Sequence, residues 1–442
     1  MSTLHVAIVG SGPAGMYLLD ALSKLIRDPL AVDVIDRLPT PFGLVRSGVA
    51  PDHSSVRAVT QRFEQTLDRP GVRFLGGVEV GRDVSLAQLR NLYDAVVLAN
   101  GCPLDRSLGI PGEQLPGVWG SACFTGWYNA HPDHAGTDIA DLPETVVVIG
   151  NGNVAIDVAR LLTKPESALA ATDMSPAAVE VLGRSSVRKV VVAGRRGPAE
   201  ARFSVKELDE LGDVANVSVV LPQGFDLPSD LQVSALPVAQ ASMIQALRRY
   251  ATNPTTDRPR DIEFRFLAQP AAVIGGKRVE AIRFEQMEPA GSGVRGSGAL
   301  LEIPCGAVIT CIGYQARPLA AMNIDSARGG FANDEALIDA GLYCTGWARR
   351  GPSGTIATNR GDATQVAQRI LREVHAAGTP GPDGLDRLLM EGRLRPVHVA
   401  GWRAIDSAER ARAVGLAPRR RFHTVAEMLA LLRDHRACQA NA

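Results

Sequence analysis

The chain has 442 residues, 45% hydrophobic and 21% charged, which indicates a globular protein of two or three domains. Its 47 basic and 47 acidic residues cancel, so the overall charge does not favour a nucleic-acid-binding protein. No apolar run reaches the roughly 18 to 20 residues that a membrane-spanning helix needs, and no membrane span is expected.

The apolar N-terminus, LHVAIVGSGPAGMYLL (4–19), has the hydrophobicity of a secretory signal but not its arrangement. No basic segment precedes the apolar run, and a glycine turn interrupts it. A cytoplasmic protein is therefore expected.

The first nucleotide-binding pattern begins with a predicted strand, LHVAIV (4–9), and a glycine turn, GSGPAG (10–15). Gly10 allows the tight turn, Gly12 lets the backbone approach a pyrophosphate, and Gly15 lets helix pack on strand. The following helix is predicted from the spacing of its apolar residues, which are Met16, Leu19, Leu22 and Ile26.

A second predicted strand, AVDVID (31–36), ends on an acid 21 residues beyond Gly15. The carboxylate of Asp36 can accept a hydrogen bond from a ribose 2′-hydroxyl, whereas it would repel a 2′-phosphate. The first site is thus predicted to hold FAD or NAD.

A second pattern of the same kind follows the predicted strand TVVVIG (145–150). Ala155 takes the place of the third glycine, a tolerated change. The next strand, RKVVVAG (188–194), is followed by Arg195 and Arg196, whose guanidinium groups complement a phosphate dianion. This pair predicts NADP, although two arginines are also typical of a solvated loop.

The crossover between these two strands, residues 163–187, is longer than a minimal one, and SPAAVEVLGRS (175–185) predicts an inserted helix. One flavin candidate and one NADP site on the same chain together indicate a hydride relay.

Cysteine spacing excludes two kinds of redox centre. No two of the six cysteines are spaced C-x-x-C, whereas iron–sulfur ligation and a thioredoxin-type dithiol both need close spacing. Buried reduced thiols are expected for Cys102, Cys123, Cys305, Cys311, Cys344 and Cys438.

Three later segments predict buried strands: DAVVLANG (94–101), CGAVITCIG (305–313) and the start of LYCTGWARRGPSGTIATNRGDA (342–363). The glycine-rich turn in the last segment can present backbone N–H groups at a helix N-terminus to an electron-rich ligand. The same turn is equally typical of an ordinary strand–helix connection.

Taken together, these motifs resemble the adrenodoxin-reductase-type ferredoxin–NADP reductases. The likeness covers nearly the whole chain, and its segments occur in the family's order. They are PFGLVRSGVAPDH (41–53), FTGWYNAHP (124–132), GNGNVAIDVARLL (150–162), GRRGPAEARFSVKEL (194–208), IGYQARP (312–318) and GWARRGPSGTI (346–356).

The resemblance implies an α/β fold with two Rossmann-like dinucleotide-binding domains of the glutathione-reductase type. The FAD domain would be discontinuous, residues 1–107 and 332–442, the latter ending in a helical tail. An NADP domain, residues 108–331, would be inserted between the two parts.

The resemblance also implies the residues at each cofactor. FAD would contact the first glycine loop and several later residues. These residues are Gly10, Gly12, Ala14, Gly15, Asp36, Leu44, Val80, Trp347, Gly354, Thr355 and Ile356. NADP would contact Asn151, Gly152, Asn153, Val154, Arg195, Arg196 and Glu207, with Gly354 near the nicotinamide.

His53 and Glu207 are the candidate catalytic residues, and this role rests on the resemblance. By themselves they are typical of a loop histidine and of a first-turn helix acid. We expect both to position groups or handle protons, because hydride and electron chemistry belongs to the flavin. No metal site is expected.

The main hypothesis is a ferredoxin–NADP⁺ reductase, in which NADPH reduces FAD and single electrons pass to a separate iron–sulfur protein. Ferredoxins are usually acidic, so a basic docking face is expected on a monomeric reductase. Its candidates, each of which is also consistent with an ordinary solvated charge, are Arg248, Arg249, Arg258, Arg260, Arg349 and Arg350.

Three alternatives use the same nucleotides. A dithiol reductase is disfavoured by the missing C-x-x-C, and a non-catalytic FAD-binding scaffold by the two intact loops. An NADPH diaphorase or quinone reductase with small-molecule acceptors stays open, because a reduced flavin passes electrons to many acceptors.

Overall fold

The computed structural model describes residues 2–26, 29–252, 258–291, 293–319 and 322–440, with side chains up to residue 434. In this part of the chain, no helix is both long enough and apolar enough to cross a membrane.

Strands and helices alternate along much of the chain. The strands are β1 Leu4–Val9, β2 Leu30–Asp36, β3 Val72–Gly76, β4 Ala95–Leu98, β5 Leu104–Asp105, β6 Val118–Gly120, β7 Thr145–Ile149, β8 Lys189–Ala193, β9 Val217–Val220, β10 Arg260–Arg265, β11 Ala268–Ile274, β12 Ala281–Ala290, β13 Gly293–Pro304, β14 Ala307–Thr310, β15 Tyr314–Gln315, β16 Leu337–Asp339 and β17 Leu342–Cys344. The α-helices are α1 Pro13–Leu25, α2 Leu44–Ser47, α3 Ser54–Arg57, α4 Val59–Leu67, α5 Leu86–Leu92, α6 Ser121–Tyr128, α7 Asn153–Thr163, α8 Glu166–Ala170, α9 Pro176–Gly183, α10 Val205–Gly212, α11 Asp230–Ser234, α12 Val238–Thr252, α13 Trp347–Arg350, α14 Thr358–Glu373, α15 Gly381–Glu391, α16 Val399–Ala411 and α17 Val425–Ala440. A 3₁₀ helix covers Pro198–Glu200.

The chain forms two compact units, each of which is discontinuous in sequence. The first unit contains Met1–Leu104, Asn129–Ala135 and Tyr314–Ala442, and the second contains Asp105–Tyr128 and Gly136–Gly313. Two stretches predicted for the inserted domain, 129–135 and 314–331, therefore belong to the first unit.

The first unit is built on a sheet with strand order β16-β17-β4-β1-β2-β3, parallel except for the β16–β17 pair. Alternate residues of β1 pack on opposite faces. Val6 and Ile8 join the apolar cluster of α1 and α14, whereas Ala7 and Val9 join that of α5 and α15. Burial on both faces explains the nearly continuous apolar sequence of this strand.

The second unit is built on a wholly parallel sheet of order β6-β14-β7-β8-β10-β9, with a separate antiparallel sheet of β11, β12 and β13. The predicted helix between β7 and β8 is α9, whose start is capped by the Ser175 hydroxyl. A short additional helix, α8, precedes it.

The strand order reverses at the strand before each glycine loop. In the first unit β1 lies between β2 and β4, and in the second β7 lies between β8 and β14. Ligands of parallel α/β sheets bind at such switch points, outside the carboxyl ends of the strands. The predicted architecture of two Rossmann-like domains is confirmed.

Candidate functional site

The first glycine loop links β1 to α1 in close contact with its neighbours. A Cβ atom on Gly15 would lie 2.0 Å from the carbonyl oxygen of Gly10, so only glycine allows this approach. Gly10 itself has φ +110°, in the region that favours glycine. The helix begins after Gly12 without a side-chain cap, which leaves its N-terminal dipole facing the loop.

Asp36, at the end of β2, holds this loop. One carboxylate oxygen accepts hydrogen bonds from the backbone N–H of Ser11 at 2.9 Å and from its hydroxyl at 2.5 Å. The other oxygen accepts from the backbone N–H of Leu38 at 3.0 Å. The acid predicted to bind a ribose therefore also fixes the loop that would bind the pyrophosphate.

Two other segments of the first unit approach the same loop. The backbone N–H of Phe42 donates to the Ser11 carbonyl at 3.0 Å, and a Cβ on Gly43 would lie 3.0 Å from the Cα of Gly12. Gly346, just before α13, is so close to Ala14 that a Cβ there would lie 2.3 Å from the Ala14 Cβ. Parts of three segments singled out from the sequence, 10–15, 41–53 and 346–356, thus meet at the start of α1.

The predicted flavin turn, residues 354–356, is fixed by the first turns of α14. The Thr358 hydroxyl accepts from the Thr355 N–H at 3.0 Å, and the Asn359 amide donates to the carbonyl oxygens of Thr355 and Ile356. The guanidinium group of Arg350 in turn donates to the Asn359 side chain at 2.9 Å. Gly354, with φ +78°, is exposed.

The remaining predicted residues of the first unit are Leu44, His53, Val80 and Trp347. Leu44 is exposed on α2, and His53 is half-buried at the start of α3. Val80 is half-buried in the segment that follows β3, and Trp347 opens α13 and donates its indole N–H to the Ser353 carbonyl at 3.1 Å.

The second glycine loop is bound to the segment that leads into α10. The Asn151 carbonyl accepts from the N–H groups of Arg202 and Phe203, at 2.7 and 3.1 Å. The Asn153 side-chain oxygen accepts from the Ser204 N–H at 3.0 Å, and the Ser204 hydroxyl caps α10 by accepting from the Glu207 N–H. These bonds connect Glu207 to the start of α7.

Arg195 and Arg196 are exposed at the carboxyl end of β8. Their backbone is anchored to the turn between β10 and β11, where the Leu267 N–H donates to the Arg196 carbonyl at 3.0 Å. Leu267 has φ +56°, a strained conformation for a leucine. The guanidinium groups are thus presented on a fixed turn, at the position where the first sheet has Asp36.

Both loops fit a dinucleotide. A Cβ on Gly12 would meet nothing closer than 3.9 Å, and one on Gly152 nothing within 4 Å, so the backbone is open to a ligand at both positions. Asn100, which follows β4, and Asn151 each have a buried side-chain oxygen with no hydrogen-bond partner among the residues that the structure describes. Buried acceptors of this kind normally have partners, and ligand hydroxyl or amide groups would supply them.

The arginines predicted for docking are all engaged within their own unit. Arg248 pairs with Asp230, Arg249 with Asp209, and both Arg349 and Arg350 with Asp362. Arg258 and Arg260 donate to backbone carbonyls of Val217, Thr163 and Lys164. Arg349 and Arg350 are only 18% and 20% exposed, whereas Arg249 is 58% exposed.

Five of the six cysteines lie where side chains are described, and all five are free thiols. Cys102, Cys305 and Cys344 are buried, and burial raises the pKa of the Cys305 and Cys344 thiols to about 12. These two are therefore protonated and unreactive at neutral pH. The side chain of Cys438 lies outside the described residues.

Sequence reasoning missed four residues at the candidate site. They are Ser11 and Ser204, whose hydrogen bonds fix the glycine loops, Asn359, which holds the 354–356 turn, and Asn100, which follows β4. Asn100 had a signal, because it follows a predicted parallel strand at the edge of the sheet that binds ligands. The other three act through contacts with residues 25, 51 and 3 to 4 positions away, and the two longer contacts have no local pattern.

Comparison with known proteins places these features in context. Residues 4–192 match the family model described as pyridine nucleotide-disulphide oxidoreductase. The chain is 36% identical to NADPH:adrenodoxin oxidoreductase of Arabidopsis thaliana, with 97% of this chain and 95% of that protein covered. It is 37% identical to NADPH-ferredoxin reductase FprA of Mycobacterium leprae, with 92% and 93% covered.

Among solved structures, FprA of Mycobacterium tuberculosis in complex with NADPH superimposes with a TM-score of 0.91 at 36% identity. The match covers 97% of this chain and 99% of that one. The resemblance therefore extends over both units.

Proposed function

Because the chain belongs to the adrenodoxin-reductase family of NADPH-dependent ferredoxin reductases, we propose that it oxidises NADPH and reduces a ferredoxin-type iron–sulfur protein by way of bound FAD. One structural observation supports this proposal in addition to the similarity to these relatives. Each unit has a glycine loop at the switch point of its own sheet. The next strand along the chain ends in Asp36 in the first unit, and in the second unit it is closely followed by Arg195-Arg196.

The charges at the ends of these strands support the proposed assignment of the two nucleotides. A carboxylate next to the first loop suits the unphosphorylated ribose of FAD, and a pair of guanidinium groups next to the second suits the 2′-phosphate of NADPH. Bound FAD would supply an acceptor for the hydride of NADPH and a donor of single electrons, as a one-electron carrier requires.

In this proposal the residues of the protein bind FAD and NADPH and orient them. We propose that Gly10, Gly12, Ala14, Gly15 and Asp36 hold the FAD pyrophosphate and ribose, and that Asn100 contributes an acceptor. Leu44, Val80, Trp347, Gly354, Thr355 and Ile356 complete this site. Asn151, Gly152, Asn153, Val154, Arg195 and Arg196 hold NADPH, with Gly354 beside its nicotinamide.

His53 and Glu207 are proposed to handle protons or to orient the reacting groups. The helix cap that joins Asn153, Ser204 and Glu207 supports this for Glu207, because it ties the acid to the loop that would hold NADPH. For His53 the support is that it lies in a segment resembling the family, APDH (50–53), and that it is half-buried beside α2.

The decisive experiment records the visible absorption spectrum of the purified protein before and after NADPH is added under anaerobic conditions. We expect a flavin band at about 450 nm that NADPH bleaches. A protein without this band, or a band that NADPH leaves intact, would contradict the proposal. The acceptor is then identified by comparing turnover with a ferredoxin and with a quinone at matched concentration, since faster quinone turnover favours the diaphorase alternative.

The sequence has no cysteine spacing that could hold a cluster, so the iron–sulfur centre belongs to a partner. We propose that an acidic ferredoxin docks on a basic face and that Arg249 is its most accessible member, 58% exposed. Its ion pair with Asp209 is a surface pair, which contributes little and can exchange for a partner's carboxylate.

Arg249→Glu should therefore slow ferredoxin reduction while the reduction of a small neutral acceptor is unchanged. Arg184→Glu is a matched control, because Arg184 is 55% exposed and pairs with Glu180 in the same unit. Ferredoxin reduction by the wild type should also slow steeply as salt rises. A flat salt profile, or equal effects of the two variants, would contradict docking at this face.

Two further proposals concern the state of the protein. We propose that it acts as a monomer and in the cytoplasm. Sedimentation of the purified protein and fractionation of the producing cells test the two separately.

A further inference from the structure

A fully buried carboxylate connects the C-terminal helices of the first unit to the segment predicted to contact the flavin. Glu409, near the end of α16, has no exposed side-chain surface and lies 2.6 Å from the guanidinium group of Arg46, which is 10% exposed. The same oxygen accepts from the Phe422 N–H at 3.2 Å. Arg419 lies 3.7 Å from the other carboxylate oxygen.

Two further contacts join the same parts of the chain. Trp402, one turn into α16, meets Phe42 edge-to-face with ring centroids 5.8 Å apart, and the Arg46 guanidinium lies 5.2 Å above its ring. Buried Arg421 donates to the carbonyl oxygens of Arg46 and Asn129. The C-terminal region therefore contacts both the side chain and the backbone of Arg46.

The segment held in this way is strained and adjoins the first glycine loop. Phe42 has φ +82°, which is unusual for a bulky residue and persists only where surrounding contacts impose it. Its N–H donates to Ser11, and the next residue, Gly43, lies against Gly12. The outer side of this segment contacts α16, and its inner side contacts the loop.

A buried ion pair is a poor way to add stability, because desolvation offsets the attraction, but removing one partner is strongly disruptive. We infer that Glu409 is a positioning residue: through Arg46 it fixes the conformation of residues 42–47, and so the shape of the FAD site, without touching the cofactor. This inference rests on the proposed function, in which the first unit binds FAD.

The test compares the wild-type holoenzyme with Glu409→Gln, which keeps the volume of the side chain and removes its charge. We expect the FAD dissociation constant, followed by the fluorescence of released FAD, to rise about tenfold. The visible absorption bands of the remaining bound flavin should shift, which a purely structural role would not cause well below the unfolding temperature.

Arg403→Gln is the matched control. Arg403 lies on the same helix and pairs with Asp68, and both side chains are 51% exposed. We expect this variant to change the FAD dissociation constant by less than about twofold. A Glu409→Gln protein that merely melts earlier, with the FAD affinity and flavin spectrum of Arg403→Gln, overturns the inference.

If Glu409→Gln does not fold, Arg46→Lys makes the same test from the other partner. It keeps the charge but loses the planar group that stacks on Trp402 and reaches Glu409, so FAD should again bind more weakly. Wild-type FAD affinity in this variant overturns the inference. A wild-type protein that binds no FAD at all would instead contradict the proposed function.

Discussion

The side-chain oxygen of Asn153 accepts a hydrogen bond from the backbone N–H of Ser204 at 3.0 Å. The first residue of α7 is thereby joined to the cap of α10, 51 positions later in the chain. A residue predicted as a direct NADP contact is thus also a tether between the glycine loop and the helix that carries Glu207.

Asn153→Ala should therefore weaken NADPH binding through lost positioning. A neutral hydrogen bond contributes about 0.5 to 1.5 kcal/mol, so the KM for NADPH should rise about 2- to 10-fold. Ser175→Ala removes a comparable helix cap from α9 in the same unit and should lower stability alone. Equal KM values in the two variants would argue against the tether.

Arg196→Ala tests which nucleotide the second loop takes. Loss of a charge-assisted phosphate contact costs about 1.5 to 3 kcal/mol, which raises the KM for NADPH about 10- to 150-fold. NADH has no 2′-phosphate, so its KM should hardly change. If steady-state kinetics show equal effects on both cofactors, the assignment of NADP to this loop is wrong.

Asp36→Ala should weaken FAD binding by about tenfold or more, because it removes the acceptor of two hydrogen bonds from Ser11 together with the predicted ribose contact. The ratio of flavin to protein absorbance after gel filtration measures this loss. Asp36→Asn keeps one acceptor oxygen and should retain more FAD than the alanine variant. Full retention by Asp36→Ala would show that the carboxylate is dispensable.

His131 gives the first unit a dependence on pH. Burial lowers the pKa of this imidazole to about 4, and its neutral Nδ1 accepts the Asp133 N–H at 3.1 Å. The unfolded chain takes up the proton first as pH falls from about 6.5, so stability is complete above that pH and decreases toward pH 4. The loss is up to about 1.4 kcal/mol for each pH unit.

His131→Gln should flatten the decline of the unfolding temperature between about pH 6.5 and pH 4. Identical slopes for wild type and His131→Gln would mean that this imidazole is not the group that titrates.

Local patterns were sufficient to predict the two sheets and both glycine loops. Strand, turn and helix periodicity act over about ten residues, and the parallel pairing of β2 with β1 and of β8 with β7 then places Asp36 and Arg195-Arg196 beside their loops. The sequence could not predict the pairs Asn153–Ser204 and Arg46–Glu409, because each joins groups far apart in sequence that only the folded chain brings together. The same limit explains why arginines that looked available for docking, such as Arg349, are bound to Asp362.

Residues 129–135 belong to the first unit although the segments on both sides belong to the second. This arrangement limits which chimeras of this protein and its relatives can be built. Asn129, fully buried, accepts from Arg57 and Arg421 and donates to the Val49 carbonyl, all within the first unit. A chimera that exchanges residues 105–313 as one continuous segment would replace this asparagine together with the second unit. A workable swap must transplant 105–128 and 136–313 separately and leave the recipient's own seven residues in place.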